Sequence, residues 1–273
     1  MRILLTGATG GIGSALAKAF AANGHAVLLQ ARNQCRLDAL AADIGDSRNL
    51  STISADITDA NGRERICEAA ARFAVDTLCN NAGINQFAAF DQTDIEKMIN
   101  TNVTATMMLT QAMLPILLEN QSPRVIVIGS AFGAIGFPGY TAYCASKFAL
   151  KGFAESLARE YEPDNLSVHY FAPRATATSM NDDRVTQMNK EMGTATDTPD
   201  QVAKQVLAAL KNNRPRLQLG ATERLQTRLN ALLPSVVDSA LRGKLPIIKK
   251  YLSESHHVEA NRCCPATLPA NRS

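Results

Sequence analysis

A chain of 273 residues, 46% hydrophobic and 19% charged, is long enough to bury one large α/β core and too apolar for a disordered or collagen-like protein. A formal net charge of +3, with no block of like charges in the first two hundred residues, gives no footprint for nucleic acid. Cys35, Cys67, Cys79, Cys144, Cys263 and Cys264 form no C-x-x-C pair and lack histidines at zinc spacing, so neither a metal site nor a disulfide framework is expected.

The cysteine pattern suits a reducing compartment. The N-terminal apolar run is too short for a signal peptide, and no uninterrupted apolar stretch is long enough to span a bilayer. A soluble, cytoplasmic protein is the expectation.

In chain order, short apolar runs at 2–6, 25–31, 50–54, 75–79, 123–129, 165–172 and 216–220 suit buried strands. Helical spacing fills 11–23, 33–44, 59–73, 94–120, 143–161 and 199–212 between them. Such alternation predicts a doubly wound parallel sheet of about seven strands, of Rossmann type, with helices on both faces. Residues 174–198, polar and rich in Thr, Asn and Met, read as a mobile loop. Residues 221–255 read as an amphipathic basic helical extension. It interleaves Arg224, Arg228, Arg242, Lys244, Lys249 and Lys250 with leucines, valines and isoleucines. Core packing or subunit contact is favoured for it over contact with a membrane surface. Residues 256–273 read as a frayed tail, and 1–220 as the main domain.

Thr6-Gly-Ala-Thr-Gly-Gly-Ile-Gly13 follows the first strand and opens the first helix, where backbone N–H groups and the helix dipole can hold a pyrophosphate. Gly7 permits the tight turn, Gly11 clears the phosphate approach, and Gly13 lets the helix lie close to the sheet. Thr9 and Ile12 join them as cofactor-binding candidates. After the second strand no carboxylate waits for an adenine-ribose hydroxyl; Arg32 stands there instead, and a guanidinium suits a 2'-phosphate. NADP(H) is therefore preferred over NAD(H).

Tyr143 and Lys147 fall four residues apart and share one face of a predicted helix. With Asp56 in Ala-Asp-Ile-Thr, Asn80-Asn-Ala-Gly83, Asn102 in Asn-Thr-Asn-Val, Ser130 in Ile-Gly-Ser thirteen residues before Tyr143, and Pro173, the chain resembles a short-chain dehydrogenase/reductase of the compact one-domain kind, from residue 1 to about 220. The resemblance implies a catalytic tetrad of Asn102, Ser130, Tyr143 and Lys147. Tyr143 would give a proton to a carbonyl oxygen as hydride arrives, and Ser130 would bond the same oxygen. Lys147 would also bind the nicotinamide ribose, and Asn102 would hold a water that relays protons. An ammonium about 6 Å from the phenol, at an effective dielectric of ~20, contributes on the order of 3 kcal/mol towards ionising it.

The resemblance further places Asp56 and Ile57 near the adenine, Asn81 and Gly83 along the cofactor, and Thr176 and Thr178 at the carboxamide and diphosphate. Two departures stand out. Arg174 occupies a position where the family has glycine, and Gly10 one where many NADP-using relatives carry a basic residue.

The implied reaction is reversible, NADPH-dependent reduction of a ketone or aldehyde by a homodimer or homotetramer, with reduction of a 3-oxoacyl thioester as the alternative. A non-catalytic NADP-sensing or membrane-surface protein is the reading from another class. Candidate substrate walls are Asn85, Gln86, Phe87, Ala131 to Phe137, Met180, Met188 and Met192, which either line an apolar pocket or simply pack the loop.

Overall fold

The apolar runs become seven strands in a computed structural model that describes residues 1–45 and 49–260. They are β1 (Arg2–Leu5), β2 (Ala26–Ala31), β3 (Leu50–Ser54), β4 (Thr77–Asn80), β5 (Arg124–Ile128), β6 (Ser167–Ala172) and β7 (Arg216–Gln218). Every pairing is parallel, in the order β3-β2-β1-β4-β5-β6-β7. The chain winds outward from β1 to β3, then returns to β4 on the other side of β1. That reversal opens a crevice at the carboxyl ends of β1 and β4.

Successive strand residues serve opposite faces, and both faces are covered, which is why the strands read as unbroken apolar runs. Ile3, Leu5, Val27, Leu29 and Phe171 pack with Leu16 and Phe20 of α1 (Gly11–Ala22) and, further along the chain, with Val202 and Val206. Leu4, Leu28, Leu78, Val125 and Val127 face the other way, against Ile66, Leu109, Met113 and Leu150. Each such fully buried side chain contributes about 1.5–3 kcal/mol of transfer free energy.

The helices after α1 are α2 (Gln34–Ile44), α3 (Ala60–Arg72), α4 (Ile95–Ile99), α5 (Ala105–Leu118), α6 (Thr141–Glu160), α7 (Asp183–Glu191), α8 (Pro199–Lys211), α9 (Ala221–Leu232) and α10 (Pro234–Ala260). Local chemistry sets their starts. Asn33 and Asp59 cap α2 and α3, and Thr198 with Gln201 closes a reciprocal capping box on α8.

Three expectations need correction. The helix expected at 94–120 is broken by a π-helical turn, Asn100–Thr104, between α4 and α5. The stretch Ile95–Leu118, though interrupted by polar residues, is long and apolar enough to cross a membrane by length and mean composition. It serves instead as a core helix, burying Met98, Ala105, Leu109, Met113 and Leu117. Second, residues 174–198 are structured. Asp182 caps α7 through Val185 N, and Val185 and Met188 are buried beneath a polar outer face that masked the helical spacing. Beyond the main sheet, α10 continues through Ala260, past the expected start of the tail at His256. Residues 261–273 lie outside the described residues.

A third apolar cluster joins the extension to the body. Ile248 and Tyr251 of α10 are buried with Phe87, Tyr140, Cys144, Val185 and Met188. Lys250 and Tyr251 both donate to Glu191 Oε2, at 2.9 and 2.8 Å.

Candidate active site

The glycine turn is built by exclusion. Gly7 has φ +63°, and a Cβ there would lie 2.8 Å from Ala82 Cα. A Cβ on Gly13 would run into the Gly7 carbonyl, and one on Gly11 would lie 2.5 Å from the Thr178 methyl. Gly10 precedes α1 with no side-chain cap, and the first turn carries no acidic residue. The first-turn N–H groups thus have no side-chain cap, and the residues present fit a dinucleotide pyrophosphate.

Neighbouring strands brace this turn. Thr6 Oγ1 accepts from Asn81 N at 3.0 Å and Ala82 N at 3.1 Å, while Asn81 Nδ2 donates to the Thr6 and Gly7 carbonyls. The Asn81 side chain is thus occupied in holding the turn rather than free in the crevice. Gln30, 2% exposed, accepts from Gly7 N at 3.2 Å and donates to Ala55 O at 2.7 Å. The sequence reading passed over it, although a lone amide inside an apolar buried strand was the available signal.

At the adenine end, Arg32 is exposed at the close of β2 and faces Asp56 electrostatically. Burial pushes the Asp56 carboxyl up, but bonds from Thr58 N and Oγ1, both 2.8 Å, and the Arg32 charge outweigh it and hold the group below its ordinary range. Ile57 beside it is buried. Arg36, which the sequence reading did not single out, reaches back to donate to Thr9 O at 3.2 Å. Its place in the first turn of α2, just after Arg32, was the signal.

The chemical end joins three elements. Ser130 follows β5, and its hydroxyl accepts from Phe132 N at 3.1 Å. Tyr143, in the first turn of α6, is hydrogen-bonded to the Ser130 side chain. Burial pushes the phenol up to about 12, with the Ser130 bond pulling the other way. Lys147 lies one turn on, 6% exposed, with Nζ 5.6 Å from the Tyr143 ring centre and donating to Ile128 O at 3.1 Å. Burial brings its ammonium down to about 8, leaving it mostly charged at neutral pH.

The expected ammonium–phenol proximity is present. Desolvation is the largest influence on the phenol here, and the Ser130 bond is what opposes it.

Asn102 is fully buried in the π turn. It accepts from Ile84 N at 2.8 Å and donates to Ile84 O at 2.9 Å and Ser146 Oγ at 3.0 Å. A Cβ on Gly83 would lie 3.2 Å from Asn102 Oδ1 and 3.9 Å from Lys147 Nζ, so the glycine keeps the space between the two open. Ser146, another residue not singled out from sequence, ties this group to α6 by donating to Tyr143 O at 2.7 Å.

Thr176 and Thr178 divide. Thr176 is buried and donates to Arg174 O at 2.9 Å, whereas Thr178 lies over Gly11. The glycine-to-arginine departure has a physical account: Arg174 turns to Asp197 at 2.6 Å and to Glu223 at 3.9 Å. Together with the Thr176–Asp197 bridge, this pins the segment after β6 between α8 and α9.

Above Tyr143 opens a cavity of about 570 Å³, walled by Phe132, Phe137, Tyr140, Met188 and Met192, and closed on one side by Leu229 of α9 and Val237 and Leu241 of α10. A second cavity of about 430 Å³ shares Asn85, Met180 and Val185 with the first. On its wall, Asn85 Oδ1 and Arg184 Nη1 are buried without a hydrogen-bond partner among the described residues. Among the described residues no cluster suited to a metal ion occurs.

A parallel sheet wound about this crevice, with a glycine turn at one end and a buried Tyr-Lys pair at the other, defines a nucleotide-dependent oxidoreductase. The family model described as short chain dehydrogenase matches residues 1–189, and the chain belongs to that family. It is 30% identical over 261 residues to dehydrogenase/reductase SDR family member 7B of Xenopus laevis, covering 89% of this chain and 81% of the relative. It is 34% identical over 182 residues to 3-oxoacyl-[acyl-carrier-protein] reductase FabG of Haemophilus influenzae, covering 65% and 74%. Among solved structures, a short-chain dehydrogenase from Sphingobium yanoikuyae in complex with NADPH superposes with a TM-score of 0.73 at 28% identity, covering 90% of this chain and 95% of that one.

Proposed function

We propose that the chain is an NADPH-dependent carbonyl reductase, reversible in principle, acting on an apolar ketone or aldehyde with Tyr143 as general acid. The observation that carries this is the Tyr143 phenol, hydrogen-bonded to Ser130 beneath the apolar cavity and backed by the Lys147 ammonium. When bound, the nicotinamide supplies hydride to the carbonyl carbon.

The residues do the rest. A phenol held up to about 12 stays protonated at neutral pH, the state needed to donate rather than abstract. As the carbonyl oxygen gains charge, Ser130 Oγ bonds it and the proton passes from Tyr143 Oη. The nascent phenolate is stabilised by Lys147, whose charge is in place below about 8 and lost above it. Asn102, separated from Lys147 only by the space that Gly83 leaves, positions a water for reprotonation.

Preference for NADPH over NADH rests on Arg32, with Arg36 as a second guanidinium at the same rim, and on the NADPH named for the Sphingobium structure. Gly7, Thr9, Gly11, Ile12, Gly13, Asp56, Ile57, Gly83 and Thr178 form the remaining cofactor surface in this reading, with Asn81 and Thr176 supporting it from behind. Arg32→Gln should raise KM for NADPH roughly 10- to 100-fold, the worth of a hydrogen bond to a charged group, with KM for NADH little changed.

Reduction of a 3-oxoacyl thioester is the second reading. Similarity to the Haemophilus reductase favours it, as do the spare acceptor on Asn85 and donor on Arg184, which together match an amide in a carrier arm. A cytoplasmic setting fits the free Cys35, Cys67, Cys79 and Cys144. Self-association fits the exposed Met107, Met108 and Phe148 on α5 and α6. The deciding measurement is NADPH consumption against aldehydes, ketones and 3-oxoacyl thioesters of graded chain length, with turnover expected to rise with apolar length. NADPH binding without consumption across the whole panel would overturn the assignment.

A further inference from the structure

Ten large apolar side chains stand exposed among the described residues, and four of them fall within twelve positions at the elbow between α9 and α10. Leu225 is 59% exposed, Leu232 78%, Leu233 54% and Val236 51%. No residue of α9 is buried. The extension is anchored at its far end, through Ile248, Tyr251 and the Glu191 bonds, while α9 is tied to the body by Asn230 Nδ2 on Ala134 O at 2.9 Å, Arg224 Nη1 on Gln218 O at 3.4 Å and Glu223 against Arg174.

The two sides of α9 differ. At about 100° per residue, Thr222, Gln226 and Leu229, which line the cavity, share one side, and Arg224, Leu225, Arg228 and Leu232 fall within an arc about 100° wide on the other. The exposed charge of the two helices is mainly basic. Arg224, Arg228, Arg242, Lys244 and Lys249 are exposed, and none forms a salt bridge among the described residues. Of the four acids in α9 and α10, Glu223 is turned to Arg174, Asp238 stands exposed near the start of α10, and Glu254 and Glu259 lie towards its far end. Residues 261–273 add Arg262 and Arg272 and no acid.

Two such elbows brought face to face would set like charges together, so a second copy is a poor occupant. A surface that is anionic outside and apolar beneath satisfies the leucines and the cations at once. We propose that the α9–α10 elbow docks on an anionic lipid bilayer, with Leu225, Leu232 and Leu233 entering the headgroup boundary and Arg224 and Arg228 meeting the phosphates. Because Leu229 and Val237 on the same helices wall the cavity above Tyr143, an apolar carbonyl compound dissolved in the bilayer reaches that cavity between them. The delivery step rests on the carbonyl-reductase reading; the docking does not.

The test is co-sedimentation of the full chain with phosphatidylglycerol–phosphatidylcholine vesicles and with phosphatidylcholine vesicles alone, at low and high salt. Binding is expected to the anionic vesicles, weakened by salt. Arg224→Ser with Arg228→Ser should cut partitioning roughly 30-fold, at ~1 kcal/mol for each cation near an anionic surface. Leu232→Ser with Leu233→Ser should cut it at least about 10-fold. Both variants should keep the melting temperature and the cofactor affinity of the parent, which separates lost docking from lost folding and from any failure of the reductase assignment. Failure of the intact chain to bind anionic vesicles, or binding indifferent to both double substitutions, would overturn the proposal. So would loss of a dimer on substituting Leu232 and Leu233, since a second copy would then be the occupant.

Discussion

The sheet region through β6 and the α9–α10 extension are both rich in leucine, yet they use it in opposite ways. In the first, Leu4, Leu5, Leu28, Leu29 and Leu78 are 0–1% exposed, and polar groups such as Asn102 and Lys147 are buried too. In the second, Leu225, Leu232 and Leu233 stand in solvent, while Leu229 and Leu241 on the same helices line the cavity. Composition alone does not separate these uses; the number of faces covered does. A parallel strand with helices on both sides has no free face, whereas α9 meets the body along one side only. Chemistry that needs a perturbed phenol and ammonium belongs in the first environment, and traffic of substrate belongs in the second.

The largest expected effect breaks the comparison at its chemical end. Tyr143→Phe removes one oxygen from the proposed acid and little volume, so turnover of any carbonyl substrate should fall by about 10²–10⁴-fold. NADPH affinity and melting temperature should hold, because the ring still packs against Phe132 and Tyr140. Stopped assays with cofactor-binding titrations on the same preparation check both halves, and full activity in the folded variant would remove Tyr143 from the mechanism.

Next in size is a test of the interior. Phe20 of α1 is fully buried against β1 and β2, and Phe20→Ala should lower stability by about 3–5 kcal/mol in denaturant melts, without touching a residue of the crevice. A loss below about 1 kcal/mol would mean that α1 is held by something other than this cluster.

How much of this could be read from the sequence follows the same division. The strands were legible because burial on both faces leaves unbroken runs such as Val-Ile-Val-Ile at 125–128. Six helices were legible from spacing. The Tyr143–Lys147 pair could be read as one helix face because its spacing is set locally, whereas its partners Asn102 and Ser130, on other elements, were picked out through the family resemblance. What stayed hidden depends on distant partners. Arg174 looked like a departure at the nicotinamide turn, and its role emerges only with Asp197 and Glu223 in place. For Asn81, nothing in the sequence showed that its side-chain NH2 donates to the Thr6 and Gly7 carbonyls. The helix α7 escaped notice because its exposed face is polar and only Val185 and Met188 are buried. The exposure of α9 was least legible of all: an amphipathic pattern records that a helix has an apolar side, and says nothing about whether the fold supplies a surface to cover it.

The smallest expected effect sharpens the comparison from the other end. If Leu232 belonged to the core, Leu232→Ser would cost several kcal/mol, in line with large-to-small substitutions at buried sites. At 78% exposure it has almost no apolar area to lose on unfolding, so the expected change in stability is within about 0.5 kcal/mol, the range for surface sites. Thermal melts of the lipid-free protein check this directly. A drop comparable to that of Phe20→Ala would mean that α9 is covered in solution, and the opposition between the two regions would give way to a continuous core reaching from the sheet to the elbow.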